Sequence, residues 1–288
     1  MQHPTVKTFF DPSSNTFSHV VWDPATLKAA VLDSVLDYDA ASGRSSHASA
    51  DELIAWVRAE KLSVEWVIDT HVHADHLSAA AHVQAQLGGK LAIGEHVRAV
   101  QETFGKLFNA GDEFHSDGRQ FDHLFSDGER YMIGGIEAIA MHTPGHTPAC
   151  MTHVIGDAAF VGDTLFMPDY GTARCDFPGG DATTLYQSIQ RIFALPASTR
   201  IFLCHDYKTA NREILQHETT VAAERSGNIH VHDGISEAEF VAMRTARDAT
   251  LSMPQLILPA VQVNMRAGQF PPAEDNGVRY LKIPLNAI

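Results

Sequence analysis

Thr70-His71-Val72-His73-Ala74-Asp75-His76 places three imidazoles and a carboxylate within seven residues. Neutral imidazole nitrogens and carboxylate oxygens are the common ligands of divalent transition metals. An extended backbone would point His71, His73 and Asp75 to one side. The preceding run, Val64-Glu65-Trp66-Val67-Ile68-Asp69, is β-branched and aromatic and reads as a strand reaching Thr70. His76 to Val83 reads as the start of a helix that stops at Gly88-Gly89. Open α/β sheets place their sites at such junctions, where a strand ends and a helix begins. The fold must therefore bring other strand ends to this one.

Three later segments have the same character, an apolar strand followed by a turn carrying His or Asp. They are His142-Thr143-Pro144-Gly145-His146-Thr147, Phe160-Val161-Gly162-Asp163-Thr164 and Leu203-Cys204-His205-Asp206-Tyr207. The Pro-Gly pair in the first enforces a turn that can hold an imidazole rigidly. Each segment alone is a weak signal, and the ordered set is a strong one.

The rest of the chain supports an α/β layout. Strands are expected at Thr16–Trp22, Ala29–Asp33, Leu91–Ile93, Ile136–His142, Met151–Ile155, Ala158–Val161 and Arg200–Cys204. Helices are expected from the Ser49–Glu52 capping box onward, over Glu95–Leu107, Ala182–Leu195 and Asn211–Arg225, and from the Ser236–Glu239 box to about Leu251. The polar stretch 109–130 reads as a long loop with a short strand, and the tail 253–288 as largely irregular. With 44% hydrophobic residues over 288 positions the chain can bury a large core. Strands early in each half with helices covering them predict an α/β sandwich of two mixed sheets flanked by helices, not one doubly wound parallel sheet. The expected division is a catalytic domain over residues 1–227, with 228–288 as a helical and extended appendage packed on it.

Composition excludes some classes. The 21 basic and 35 acidic residues give a net charge of −14, which opposes nucleic acid and anionic membrane surfaces. No secretory leader or membrane-length apolar run is visible, so a cytoplasmic setting is expected. Cys150, Cys175 and Cys204 form no CxxC and leave one over, so a disulfide framework is not expected. They read as small buried residues or as thiols near a sulfur substrate.

The four motifs together resemble the metallo-β-lactamase superfamily, from about Thr16 to Arg225. The resemblance implies an αβ/βα sandwich with a metal site at one edge between the sheets. It matches His71, His73 and His146 to the first metal site, and Asp75, His76 and His205 to the second, with Asp163 bridging. His142 competes with His146, which follows the Pro-Gly turn and is preferred. The segment Gly171-Thr172-Ala173-Arg174-Cys175-Asp176-Phe177-Pro178-Gly179-Gly180 resembles the persulfide dioxygenases, as do Glu224–Asn228 and Asn264–Gly268. That group implies a single Fe(II) held by His71, His146 and Asp163, acting on glutathione persulfide and O2. His73, Asp75, His76 and His205 would then stand close by, with Asp75, His76 and His205 serving catalysis, or hold a second metal. The alternative is a hydrolase of the same fold with two Zn2+, of the glyoxalase II or lactonase kind.

For substrate contacts, Arg174 is either a carboxylate clamp or a salt-bridge partner of Asp176 or Asp169. Tyr207 resembles a glutathione contact of glyoxalase II, and Arg266 either reaches the site or packs. His230-Val231-His232-Asp233 reads as a surface loop, lacking a strand-turn partner. The tail leaves a homodimer open.

Overall fold

The computed structural model describes residues 3–287. The first half runs β1 (Thr5–Asp11), β2 (Thr16–Trp22), β3 (Lys28–Leu32), β4 (Val35–Asp39), β5 (Arg44–Ser46), α1 (Ala48–Ala59), β6 (Ser63–Ile68), β7 (Leu77–Ser78), α2 (Ala80–Leu87), β8 (Lys90–Gly94), α3 (Val97–Leu107) and β9 (His123–Phe125). The second half runs β10 (Glu129–Ile133), β11 (Ile136–His142), β12 (Met151–Ile155), β13 (Ala158–Phe160), α4 (Ala182–Phe193), β14 (Arg200–Phe202), β15 (Glu218–Thr220), α5 (Val221–Gly227), α6 (Glu237–Asp248) and α7 (Ile257–Asn264).

Two mixed sheets form, in the orders β1-β2-β3-β6-β8-β9 and β10-β11-β12-β13-β14-β15, with a small sheet β5-β4-β7 beside them. Strand alternation decides what each face buries. Ala30 and Leu32 of β3 and Trp66 and Ile68 of β6 meet Ala138 and Ala140 of β11 and Phe160 and Phe202 between the sheets. The intervening residues Ala29, Val31 and Val67, together with Val64 beyond a register shift in the β3–β6 pairing, face outward to a core shared with α1, α2, α3 and α7. Ala159 and Ile201 on the second sheet face α4 and α6 in the same way. The layers are thus helix, sheet, sheet, helix, the αβ/βα sandwich. Residues 228–287 contribute to both outer layers, through Phe240 of α6 and through Val261 and Val263 of α7. Among the described residues no helix is long and apolar enough to cross a membrane.

Several expected elements differ. No helix starts at His76: Leu77 and Ser78 pair with β4, and α2 begins at Ala80. The Ser49–Glu52 box does not cap α1, because the Ser49 hydroxyl donates to Asp37 instead and the helix begins at Ala48. The Ser236–Glu239 box does form. The expected helix 211–225 survives only as α5, since Arg212 ties the preceding loop to Asp169 and Asp206 and Thr220 caps the helix. Strand β1 and helix α7 went unanticipated.

One buried acid gives a pH-dependent stability. Glu224 in α5 accepts from Asn228 Nδ2 through Oε2, while Oε1 has no partner. Burial pushes its carboxyl up to about 8. An unfolded glutamate ionises near about 4.3, so its stabilising contribution is complete below that pH and falls as pH rises toward 8. Glu224→Gln is expected to flatten that decline and exceed the parent by about 2–4 kcal/mol at alkaline pH. Paired urea titrations at acid and alkaline pH measure this, and parallel curves for the two proteins would refute it.

Candidate metal centre

Strand ends deliver the imidazoles and carboxylates to one edge of the sandwich. β6 leads into His71, His73, Asp75 and His76, β11 into His146, β13 into Asp163 and β14 into His205. The 69–76 segment is irregular backbone, not the extended run that would alternate side chains. It is shaped by Asp33, just past β3, whose carboxylate accepts from the Thr70 N–H at 2.7 Å, from the Thr70 hydroxyl and from His73 Nε2 at 3.0 Å. Two glycines allow the close packing. A Cβ at Gly145 (φ +131) would lie 2.4 Å from Leu185 backbone, and one at Gly162 (φ +53) 2.7 Å from Thr70 Oγ1.

His71, His146 and Asp163 bring one ligand atom each within 4.8 Å of the others, as do His73, Asp75 and His76. Asp163 Oδ2 lies 3.9 Å from His71 Nε2 and 3.7 Å from His146 Nε2. His205 Nε2 approaches Asp75 Oδ2 at 3.1 Å and Asp163 Oδ1 at 3.3 Å, without hydrogen-bond geometry. Cys204 Sγ falls in the same group as Asp163 and His205. His142 stands apart, stacked on His96 and bonded to the Pro148 carbonyl.

Outer partners fix the ring tautomers. His71 Nδ1 donates to Thr70 Oγ1 at 3.0 Å, His146 Nδ1 to the Arg174 carbonyl at 2.8 Å and His205 Nδ1 to the Asn15 carbonyl at 3.2 Å. The opposite nitrogens then present lone pairs inward. His71 Nε2, His73 Nδ1, His76 Nε2, His205 Nε2, Asp75 Oδ2 and Asp163 Oδ1 are all buried without a hydrogen-bond partner. Burial and the neighbouring imidazoles hold His71 and His73 well below the usual histidine range, in the neutral form that ligates. Burial pushes the Asp163 carboxyl up, against the pull of His205 and His146. Burial works upward on Asp75 too, yet His205 and His76 hold it well below the carboxylate range. Buried acceptors aimed at one another repel unless a cation lies among them. This donor set fits a divalent transition metal.

A cleft of about 1020 Å³ opens over the cluster, its walls including Tyr38, Phe166, Tyr170, Arg174, Tyr207 and Arg247. Arg174 is committed: its guanidinium pairs with Asp176 and donates to the Ser252 carbonyl. The anticipated salt bridge is present, with Asp176 as its partner, while Asp169 pairs with Arg212. Tyr207 stacks on His205, with ring centroids 5.6 Å apart. Arg266 lies outside the cleft, stacked over Phe114 beside a separate hollow near Phe108 and Tyr280, because α7 turns it away. The turn that carries His230 is at the surface, with Ile229 and Asp233 exposed, and His230 itself is half-buried. It lines the cleft, its Nδ1 accepts from the Thr172 N–H at 3.0 Å, and its neighbour Val231 is buried. Burial, with Arg244 and Arg247 close by, lowers His230 to about 4.

Helix α6 supports the wall that carries Arg174. Arg244, 1% exposed, bonds Asp248 and the Thr172 carbonyl, and Asp248 accepts from the Cys175 N–H at 2.8 Å. These ties flank the Arg174 carbonyl that fixes His146. Asp33 and the Arg244–Asp248 pair were missed from sequence. A carboxylate closing the apolar run of β3 was the one available signal for Asp33.

Residues 14–205 match the sequence pattern of the family Lactamase_B, described as the metallo-beta-lactamase superfamily. The chain belongs to this superfamily. A Burkholderia pseudomallei relative named as a probable metallo-hydrolase is 58% identical over 99% of this chain and all of its own length. A Dictyostelium discoideum relative named glyoxylase B2 is 48% identical over 98% of this chain and 97% of its own. The Bos taurus mitochondrial persulfide dioxygenase ETHE1 is 30% identical over 93% of this chain and 91% of its own. The crystal structure of ETHE1 from Myxococcus xanthus superimposes with a TM-score of 0.72 at 27% identity, covering 92% of this chain and 100% of that one. The chain is thus a superfamily member with a metal-binding His/Asp cluster and persulfide dioxygenase relatives.

Proposed function

We propose that this protein is a persulfide dioxygenase that oxidises glutathione persulfide with O2 at one Fe(II) held by His71, His146 and Asp163. The observation that carries the reading is the buried two-His, one-carboxylate group, whose ligand atoms lie within 4.8 Å of one another. His71, His146 and Asp163 would hold ferrous iron, which would supply the activation of O2 beside the substrate sulfur. Persulfide, O2 and water would give the thiol and sulfite, with atoms and electrons balanced. His73 remains bonded to Asp33 and orients the loop, while Asp75 and His76 line the cleft and the buried His205 stands against Asp75 and Asp163. The three cysteines, all free and buried, suit a reducing, cytoplasmic setting.

Glutathione carries two carboxylates. Arg174, Arg212 and Arg244 are already paired with acids. Arg44 also lines the cleft without an ion pair among the described residues, and so does Arg247, which stands on the wall beside Arg244 and His230. We assign Arg247, with the Tyr207 ring, to the peptide portion of the substrate. Arg247→Gln is expected to raise KM for glutathione persulfide about 5- to 30-fold, with kcat within about twofold. An unchanged KM in steady-state oxygen uptake would remove Arg247 from this role.

A binuclear zinc hydrolase is the second reading. It is favoured by the unpartnered atoms of His73, Asp75, His76 and His205, a donor set sufficient for another ion. Metal analysis of protein purified without added metal separates the two. One iron per chain, with oxygen uptake on glutathione persulfide, supports the dioxygenase. Two zincs, with hydrolysis of S-lactoylglutathione and no oxygen uptake, would overturn it.

A further inference from the structure

We propose that Asn264, at the C-terminal end of α7, is a positioning residue that sets the spacing of the metal-binding loop. Its Nδ2 donates to the carbonyls of His73 (2.9 Å) and His76 (2.8 Å), and its Oδ1 accepts from the Ser78 N–H (2.7 Å). One side chain thus uses both amide hydrogens and its oxygen on a single stretch of backbone. The two bonded carbonyls bracket the segment that carries Asp75. The side chains at its ends, His73 and His76, have ring centroids 4.2 Å apart, and each points an unpartnered nitrogen inward.

The holder is itself held. Val261, Val263 and Met265 are fully buried in the outer core, and Gln101 Nε2 donates to the Met265 carbonyl at 2.9 Å. Beyond the helix, Gly268 (φ +78) brings the chain so close that a Cβ there would lie 2.7 Å from the Ser78 carbonyl. Asn264 is 1% exposed, so water cannot replace its bonds. The chemistry demands an amide. Aspartate would keep the bond from Ser78 but set a charge against two carbonyls, and alanine would orphan all three backbone groups. Asn264 lies outside residues 14–205, the span that matches the superfamily.

This inference rests on the site binding a metal, and not on which reaction it runs. Co2+ is the probe, because its visible spectrum reports ligand geometry. The wild-type protein, Asn264→Ala, Asn264→Asp and a control in the buried face of α1, Val57→Ala, are titrated with Co2+ and then challenged with a chelator. Both Asn264 variants are expected to bind Co2+ about 10- to 100-fold more weakly, with a changed spectrum and faster release. Val57→Ala should lower the thermal midpoint yet keep wild-type affinity and spectrum. Wild-type affinity and spectrum in folded Asn264 variants would overturn the proposal and leave the metal reading standing. A wild-type protein that takes up no Co2+ would overturn both. If neither Asn264 variant folds, amide exchange on the wild-type chain decides. Slower exchange of the Ser78 N–H on Co2+ loading supports the proposal, and unaltered exchange rejects it.

Discussion

His146→Ala is expected to leave a folded protein that retains less than about a tenth of its metal and loses more than about 100-fold in oxygen uptake. That loss exceeds the 10- to 100-fold typical of changes behind a ligand. The imidazole stands between the Arg174 carbonyl and Asp163, so its removal deletes one of three inward donors in the buried group. Little else should change, because the Gly145 turn is packed on Leu185 independently of the ring. His73→Ala is the informative companion. Under the dioxygenase reading it keeps its single metal and loses activity through the loosened Asp33 contact. Under the binuclear reading it costs about one equivalent of zinc. Metal per chain, measured beside oxygen uptake, distinguishes these outcomes, and a His146→Ala protein with full metal content would refute the assignment.

Arg244→Met is expected to cost about 3–5 kcal/mol of folding stability, measured by urea or thermal unfolding, because it strands the buried Asp248 carboxylate without its cation. Surface ion pairs on the same molecule, such as Lys106–Glu102, should cost under about 1 kcal/mol when broken. The damage should also reach the site. Arg244 and Asp248 hold Thr172 and Cys175 on either side of the Arg174 carbonyl, so the His146 ring loses its fixed partner. Weakened metal retention is therefore expected even where the variant remains folded. Replacing both members of the pair with apolar residues should recover part of the lost stability, with the Cys175 N–H still unsatisfied. A loss below about 1 kcal/mol for Arg244→Met would mean the pair is solvated in solution.

The fold and the superfamily were legible because their signals are local. Each metal-site segment stands at the end of an apolar run, and strand alternation announces two buried faces before any pairing is known. What stayed hidden is the machinery that holds those segments. Asp33 acts on His73 from 40 residues away, and Arg244 acts on Thr172 from 72. Such pairings leave no periodic trace. Local rules also failed where a tertiary partner outbid them: Ser49 serves Asp37 instead of capping α1, and Arg212 holds as a loop what reads as helix. The cleft contact of His230 stayed hidden for a related reason, since only the fold brings its loop against Thr172.

The bond from Asn264 to the His73 carbonyl spans 191 residues of sequence. During synthesis, residues 71–76 emerge long before the amide that shapes them, and the chain grows at about 5–20 residues per second. For that interval the His73 and His76 carbonyls lack the amide that joins them. On the role proposed for Asn264, the loop would reach its final spacing only once α7 has docked, which would make the C-terminal segment the last step in building a site encoded near the start of the chain.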